Sequence, residues 1–408
     1  MKILYFHQHF TTPNGSGGTR SYEFAKHLVN QGHQVTIITG KFKDGDTGLK
    51  NSFINGKREG VVEGINILEL NIEYSNKNNF INRSLKFLLF SLRGIFISLT
   101  KEYDIIFSSS TPLTASIPGI FSKIFRNKPF IFEVRDLWPE LPKEMGVIKN
   151  PIILYLLNIL EKISYSQADT LIGLSPGIVD GIKKKLKKSK PVYLVPNGCD
   201  EKLFKDKKKY LLEECLDEKD FNVVYSGTHG LANGLDVVID AAEILKDKKI
   251  SKIKFFLIGE GKEKINIIKK SKLKDLENVI FLPNQKKIHL IGLLKKSDLG
   301  LQILRNIPSF YYGTSPNKFF DYLSAGLPVL TNYPGWIADM IVENEIGFIS
   351  KPDNSKDLAL KIFEAYEDKF KNKKKIASIK LASKFSRKKL SSEFEKILLD
   401  TLSPKKHD

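Results

Sequence analysis

Short apolar runs alternate along most of this chain with longer segments whose apolar residues recur every three or four positions. Such an alternation is typical of a parallel β-sheet with crossover helices. In the first half it predicts strands near 3–7, 35–39, 105–108, 130–134, 170–174 and 192–195. In the second half it predicts strands near 223–226, 254–258, 279–282, 299–303 and 329–331. The pattern therefore predicts an α/β protein with two Rossmann-like, doubly wound domains.

A turn separates the two sets of strands. The segment Val-Pro-Asn-Gly at 195–198 contains residues that interrupt regular structure. A chain of 408 residues also exceeds what one hydrophobic core usually serves. We predict an N-terminal domain over 1–196, a second domain over 197–385, and a C-terminal helix over 386–408 that packs back toward the first domain.

The composition indicates the cellular compartment of the protein and the charge of its partners. Cys199 and Cys215 provide neither a disulfide framework nor metal-ligand spacing, which fits a reducing compartment. The first apolar run meets His7 too early for a secretory signal, and the apolar window 85–99 is too short to span a membrane. We therefore expect a cytoplasmic protein. The net charge of +19 favours polyanions, namely nucleic acid, an anionic lipid surface or a diphosphate substrate, without choosing among them.

A glycine-rich loop lies between the first predicted strand and the first helix, at 14–20. Gly17 and Gly18 allow close approach of the backbone to an anion, and Arg20 opens a helix whose free N–H groups would face it. The loop matches neither the dinucleotide fingerprint nor the P-loop, which disfavours dehydrogenase and NTPase functions. A phosphate site is the prediction, and a plain flexible loop is the alternative.

A second glycine turn follows the first predicted strand of the second half, at 226–230. Gly227 and Thr228 occupy the same position in their domain as the earlier loop in the first. Open α/β sheets bind ligands at the carboxyl ends of their strands. We therefore expect the two turns to face each other across a cleft between the domains.

The segment 314–330 predicts a helix start that binds the donor. Pro316 suits a first helical turn, Ser315 could cap it, and the amides of Asn317 and Lys318 would point outward. Lys318 adds a positive charge for a diphosphate, and Asp321 is placed to accept hydrogen bonds from ribose hydroxyls. The alternative is a capped helix with a solvated lysine and aspartate.

Together these segments resemble the retaining glycosyltransferases of family 4, also called group 1, which have the GT-B fold. The resemblance covers nearly the whole chain and includes the Gly-Gly loop, the 195–198 linker, the turn at Gly227, the segment around Gly259 and residues 321–329. It implies two Rossmann-like domains across a cleft and transfer from a nucleotide diphosphate sugar with retention of configuration. It also implies same-face attack, in which the departing phosphate helps to deprotonate the acceptor. No metal and no cofactor are expected.

The chain departs from the family pattern at the donor site. The family shows Glu, seven residues, then Glu; Asp321 matches the second acid, whereas the first falls on Gly313. The family's Arg and Lys after the second glycine turn are matched by Thr228 and Asn233. Because the leaving diphosphate still needs positive charge, Lys318 is the first candidate, followed by Arg20 and Arg305.

The string 132–140 ends a predicted strand with charged groups, and we predict catalytic roles for Glu133, Arg135 and Asp136. Family members often carry His where Arg135 falls, contacting the donor near its 6-hydroxyl, so Arg is compatible with a 6-deoxy donor. With Ser-Pro-Asn-Lys at 315–318, the string resembles the N-acetyl-L-fucosamine transferase branch of surface polysaccharide synthesis. A structural ion-pair network is the alternative for the three charged residues.

The resemblance implies a UDP-linked donor, either UDP-N-acetyl-L-fucosamine or a related amino sugar, and a lipid-linked O-antigen or capsule acceptor. The segment 83–101 interleaves cationic and apolar residues, which predicts a helix resting on the inner face of an anionic membrane or, equally, a crossover helix packed on the sheet. Its residues are Arg83, Lys86, Phe87, Leu88, Phe90, Arg93, Ile95, Phe96 and Lys101.

Two other functions remain open at this point. A nucleotide-sugar 2-epimerase could share the fold without using an acceptor. A nucleic-acid-binding protein would explain the charge, but the aromatic residues lie within apolar runs and form no stacking platform, so no nucleic acid partner is expected.

Overall fold

The computed structural model describes residues 1–43, 45–74, 80–205 and 216–403. It divides into two compact units. The N-unit comprises Met1–Asn197, Gly313–Ser315 and Arg387–Asp408, and the C-unit comprises Gly198–Tyr312 and Pro316–Ser386.

The first half of the chain alternates strands and helices. Its elements are β1 (Lys2–Phe6), α1 (Arg20–Asn30), β2 (Gln34–Phe42), β3 (Lys57–Val62), β4 (Ile65–Tyr74), α2 (Phe80–Thr100), β5 (Ile105–Ser109), α3 (Ile117–Arg126), β6 (Phe130–Val134), α4 (Glu140–Glu144), α5 (Pro151–Gln167), β7 (Thr170–Gly173), α6 (Pro176–Lys185) and β8 (Val192–Leu194).

The second half continues the alternation. Its elements are α7 (Glu201–Lys205), β9 (Phe221–Ser226), α8 (Asp236–Asp247), β10 (Ile253–Ile258), α9 (Lys264–Leu273), β11 (Val279–Leu282), α10 (Lys287–Lys296), β12 (Leu299–Gln302), α11 (Ser309–Gly313), α12 (Asn317–Ala325), β13 (Val329–Thr331), α13 (Trp336–Glu343), β14 (Gly347–Ile349), α14 (Ser355–Tyr366), α15 (Lys371–Lys384) and α16 (Arg387–Leu402).

The N-unit is built on an eight-stranded sheet in the order β3-β4-β2-β1-β5-β6-β7-β8. Every residue of β5 and β6 is buried, because both faces of the sheet are covered, as expected for parallel strands. One face packs against α2, α3, α5 and α6. The other packs against α1 and α16, where the rings of Phe24 and Phe394 stack with centroids 4.6 Å apart.

The C-unit is built on a six-stranded parallel sheet in the order β11-β10-β9-β12-β13-β14. All six residues of β9 are buried at the centre of this sheet. The apolar faces of α8 and α14 close one side of its core. The two parallel-sheet units confirm the predicted α/β class of two doubly wound domains.

Three strands were absent from the sequence prediction. β3 and β4 form an antiparallel hairpin at one edge of the N-unit sheet, joined through Glu63 and Gly64, both with positive φ (48° and 83°). β3 lies outermost and alternates exposed with half-buried residues, so it carries no continuous apolar run. β14 has only three residues and is half-buried throughout. None of the helices in the described ranges is both long enough and apolar enough to cross a membrane.

Candidate functional site

The central strands of the N-unit end in a cluster of polar side chains. β1, β5 and β6 are parallel neighbours, so their carboxyl ends meet at one edge of the sheet. His7 follows β1, Ser110 follows β5, and Arg135 follows β6. The backbone N–H of Arg135 donates to Ser110 Oγ at 2.9 Å. This edge therefore brings predicted Arg135 together with residues that the sequence did not single out.

His7 holds the guanidinium of Arg135. Arg135 Nη1 lies 3.0 Å from His7 Nε2, and His7 Nδ1 lies 2.5 Å from Ser21 Oγ. Burial and the nearby Arg135 charge lower the pKa of His7 well below its usual value, so the imidazole is neutral. Because a guanidinium only donates, Nε2 must accept and Nδ1 carries the proton. His7 therefore orients Arg135 through a fixed tautomer.

Asp136 lies beside Arg135 in the same cluster. Thr111 Oγ1 donates to Asp136 Oδ2 at 2.8 Å. Burial raises the pKa of the Asp136 carboxyl, opposed by this hydrogen bond and by the Arg135 charge. Asp136 thus combines a restrained carboxylate with a neighbouring cation, an arrangement suited to holding a hydroxyl group.

Glu133 and Arg20 form a buried ion pair in the N-unit. Arg20 donates to Glu133 Oε2 from Nε at 2.9 Å and from Nη2 at 2.7 Å, and the side chains are only 2% and 0% exposed. Arg20 also donates to the carbonyls of Val195 and Pro196, and Ser109 donates to Glu133 Oε1. The pair is a buried structural link in the N-unit. This placement favours the alternative of a structural ion-pair network for Glu133. The catalytic role of Glu133 and the diphosphate contact of Arg20 stay predictions.

The first glycine-rich loop has a defined shape. A Cβ on Gly15 would lie 2.2 Å from Thr11 Oγ1, and one on Gly17 would lie 3.0 Å from Thr11 Cγ2, so the loop packs tightly on Thr11. Asp46 fixes the same region, because its backbone N–H donates to Thr11 Oγ1 at 2.9 Å. Gly18 is exposed ahead of α1. Anion binding by Gly17 and Gly18 stays a prediction on this shaped loop.

In the C-unit, the turn after β9 packs against the turn after β10. A Cβ on Gly259 would lie 1.9 Å from the carbonyl oxygen of Gly227, and both glycines have positive φ (145° and 150°). The N–H of Gly227 donates to Ile258 O at 2.9 Å. Only glycine fits this approach. The structure thereby places predicted Gly227 and Gly259 together.

Lys318 of α12 reaches this turn. Its Nζ donates to the hydroxyl of Tyr225 at 2.9 Å and lies 4.1 Å from the centroid of that ring. A Cβ on Gly227 would lie 3.2 Å from Lys318 Nζ. Burial lowers the pKa of Lys318 to about 7. Burial removes water that would stabilise the charged form of Lys318. A half-buried ammonium beside a glycine turn is therefore suited to an anionic ligand, whose negative charge would stabilise it instead.

The start of α12 differs from the prediction in one respect. Pro316 is the N-cap residue, and its helix runs from Asn317. Ser315 does not cap this helix. Its Oγ accepts from the backbone N–H of Asn197 at 2.9 Å, and its carbonyl accepts from Asn197 Nδ2 at 2.5 Å. The backbone N–H groups of Asn317 and Lys318 belong to the first turn, where helices lack internal acceptors. Asn317 Oδ1 is buried without a hydrogen-bond partner in the described chain.

The remaining predicted donor residues lie around the loop after Gly227. Thr228 is exposed, and Asn233 Oδ1 would lie 3.7 Å from a Cβ on Gly230. The N–H of Arg305 donates to Ala232 O at 2.9 Å, and its side chain is exposed beside Gly234. The structure thus gathers Thr228, Asn233 and Arg305 at one loop of the C-unit.

Asp321 belongs to a buried ion-pair network. Lys287 Nζ of α10 lies 2.9 Å from Asp321 Oδ1 and also contacts Asp200 Oδ2. Asp321 is only 8% exposed. Replacement of Asp321 by alanine would remove one of the two carboxylates that contact the buried Lys287 ammonium, so we expect Asp321→Ala to lower stability. A ribose contact of Asp321 stays a prediction.

Gly313 borders open space, with no heavy atom within 4 Å of an added Cβ.

No group of three His, Cys, Asp or Glu side chains within the described ranges is arranged to hold a metal ion. Cys199 is buried, and Cys215 lies outside the described residues.

Sequence reasoning missed several residues in or near these clusters: His7, Gln8, His9, Thr111, Tyr225 and Lys287. Gln8 and His9 directly follow β1, and buried side-chain atoms of both, Gln8 Nε2 and Oε1 and His9 Nε2, have no hydrogen-bond partner in the described residues. Burial, with Arg135 and Arg83 nearby, lowers the pKa of His9 to about 3. The available signal was three polar residues immediately after a buried strand.

Two family models together match most of this chain. The glycosyltransferase family 4 model matches residues 17–203, and the glycosyl transferases group 1 model matches residues 206–382. A putative colanic acid biosynthesis glycosyl transferase, WcaI of Escherichia coli K12, is 31% identical over 104 residues. That match spans 26% of this chain and 24% of the relative. This chain therefore matches about a quarter of the relative's length.

Solved structures share the whole architecture. Sucrose-phosphate synthase from Thermosynechococcus elongatus has a TM-score of 0.74 at 15% identity, covering 98% of this chain and 99% of that one. Anabaena HepE in complex with UDP-glucose has a TM-score of 0.70 at 18% identity, covering 98% and 100%. At these identities the likeness concerns the fold, and it confirms the predicted GT-B fold.

Proposed function

Because this chain belongs to the group 1 glycosyltransferases, we propose that it moves a sugar from a UDP-linked donor to an acceptor, with retention of configuration and without a metal ion. The observation that carries the proposal is Lys318, whose half-buried ammonium adjoins the Gly227 turn at the carboxyl end of β9. UDP and UDP-glucose complexes of the structurally similar Anabaena protein support the choice of nucleotide.

We assign the diphosphate to the edge formed by Gly227, Asn317 and Lys318. Glycine allows close approach to the phosphates, the first turn of α12 supplies N–H groups, and Lys318 supplies charge. Thr228, Asn233 and Arg305 border the same loop and would extend the contacts. Charge on the leaving diphosphate grows as the glycosidic bond breaks, so a fixed cation stabilises the transition state more than the ground state.

We assign Arg135 and Asp136 to the sugar and acceptor end of the reaction. Arg135 is oriented by His7, and Asp136 is restrained by Thr111. Both follow β6, where α/β sheets bind their ligands. In a same-face transfer, the departing phosphate accepts the acceptor proton, so neither residue has to form a covalent bond to the sugar.

For the donor sugar we propose N-acetyl-L-fucosamine or a related amino sugar, and for the acceptor a lipid-linked O-antigen or capsule saccharide at the inner face of the cytoplasmic membrane. The Arg at 135 and the Ser-Pro-Asn-Lys segment support the sugar. The similarity to a colanic acid biosynthesis glycosyl transferase supports a surface polysaccharide.

Incubation with a panel of UDP-sugars, with and without a lipid-linked acceptor, tests the proposal. We expect UDP release and a retained anomeric linkage only when the acceptor is present. Conversion of the donor to a 2-epimer without acceptor would instead indicate an epimerase. Lys318→Met should lower transfer about a hundred- to a thousandfold, whereas Lys269→Met, which removes an exposed lysine elsewhere on the C-unit, should not. Equal loss in both variants would contradict the assigned site.

A further inference from the structure

The outer side of α2 is apolar although its inner side already fills the core. Phe87, Phe90 and Ile97 are buried against the N-unit sheet. Residues spaced by three and four positions then form a second apolar stripe that faces solvent. These exposed residues are Ile81, Leu85, Leu88, Leu89, Leu92 and Phe96. α2 therefore packs on the sheet as a crossover helix, and its outer side also exposes an apolar surface.

Two neighbouring helices continue this surface. α3 packs against α2, where a Cβ on Gly94 would lie 2.6 Å from Pro118 Cγ, and α3 also contacts α5. α3 exposes Ile124 and Phe125. α5 exposes Ile152, Tyr155, Leu156, Ile159 and Ile163.

All three helices cover the same side of the sheet, so their solvent-facing residues form one surface, here called the outer face. Thirteen of the 28 large apolar side chains exposed in the described residues belong to it. Soluble monomers rarely expose contiguous apolar patches of this kind unless they bind something.

The charges on these helices are cationic wherever they face solvent. α2 and α3 contain no acidic residue, and the one acid of α5, Glu161, is buried against Lys185. Lys86 and Arg93 donate to backbone carbonyls. Because a carbonyl group is uncharged, it does not neutralise their positive charges. Lys123 pairs with Asp169 and Arg126 with Glu102, which leaves Arg83, Lys86, Arg93 and Lys162 as the main cations.

We propose that the outer face inserts into the headgroup and acyl boundary of an anionic bilayer; this deepens the proposed function by naming the surface that meets the membrane. An apolar surface interleaved with cations matches anionic lipid. A second copy of the chain fits less well, because two outer faces would bring like charges together. α2, with 21 residues, would lie along the membrane for about 31 Å at 1.5 Å per residue.

Vesicle flotation of the full chain tests the inference. Vesicles of phosphatidylcholine with about 30% phosphatidylglycerol should bind the protein, and vesicles of phosphatidylcholine alone should bind it weakly. The combined variant Leu92→Ser, Phe96→Ser, Phe125→Ser should lose binding by about tenfold or more. A matched control, Ile265→Ser, Leu273→Ser, Ile376→Ser, removes side chains that are 78%, 76% and 70% exposed on the C-unit and should bind as the wild type does.

Two further measurements separate the alternatives. Size-exclusion chromatography without lipid should give the same elution for the wild type and the outer-face variant; a dimer lost in the variant would assign the surface to self-association and overturn the inference. UDP affinity, measured by calorimetry, should be equal in both proteins. Absence of UDP binding in the wild type would refute the proposed donor site and leave the vesicle result intact. Equal vesicle binding by the outer-face and control variants would overturn the inference itself.

Discussion

The two units both place cations near the carboxyl ends of their central strands, but they treat those charges differently. In the N-unit, Arg20 is paired with Glu133 and with two carbonyls. In the C-unit, Lys318 contacts the ring and hydroxyl of Tyr225, and no carboxylate pairs with it among the described residues. A buried charge that the protein itself compensates needs no ligand, whereas a buried cation without a carboxylate partner favours an anionic ligand.

Arg20→Met should have the largest effect, and it should act on stability. The change leaves Glu133 buried without its partner, which commonly costs about 3–5 kcal/mol of unfolding free energy. Urea denaturation measures the loss. Donor affinity of the fraction that remains folded should be unchanged, and a selective loss of UDP binding at normal stability would return Arg20 to the donor site.

Lys318→Met should have a comparable effect on catalysis and little effect on stability. Removing one group that stabilises transition-state charge commonly lowers kcat about a hundred- to a thousandfold. Steady-state kinetics with saturating donor measure it, with Lys269→Met as the control. Turnover within about threefold of the wild type would show that Lys318 is only a helix residue.

The contrast between the units explains what the sequence could predict. Buried strands such as β5, β6 and β9 were predictable because continuous apolar runs are a local signal. The pairing of Arg20 with Glu133 was not, because their contact joins positions 113 apart. The same holds for Ser315, whose partner Asn197 is 118 positions away. Local patterns located the glycine turns, whereas the pairing of charges depends on the folded chain.

His7→Ala should have a smaller effect, through Arg135. His7 accepts from the guanidinium of Arg135, so its loss lets that group move, and displacement of a positioned group costs roughly ten- to a hundredfold in rate. The loss should appear in kcat with unchanged UDP affinity, and His7→Gln, which retains an acceptor, should recover part of it. A fall in thermal stability with unchanged kcat would make His7 a purely structural residue.

The smallest expected effect is a pH dependence of UDP affinity that Lys318 alone produces. Burial holds the pKa of the free side chain at about 7, and a bound diphosphate should raise it, so UDP binding takes up a proton above that pH. Affinity should fall by at most about tenfold per pH unit as pH rises from about 7 toward 8.5. The neighbours do not titrate there: burial lowers the pKa of His229 to about 4 and raises that of Tyr225 well above its usual value.

Calorimetry in two buffers of different ionisation enthalpy measures the proton uptake directly. Lys318→Met should bind UDP more weakly and with no proton uptake above pH 7. Proton uptake that persists in this variant would assign the titration to the nucleotide or to another residue, and Lys318 would then carry a full charge before the donor binds.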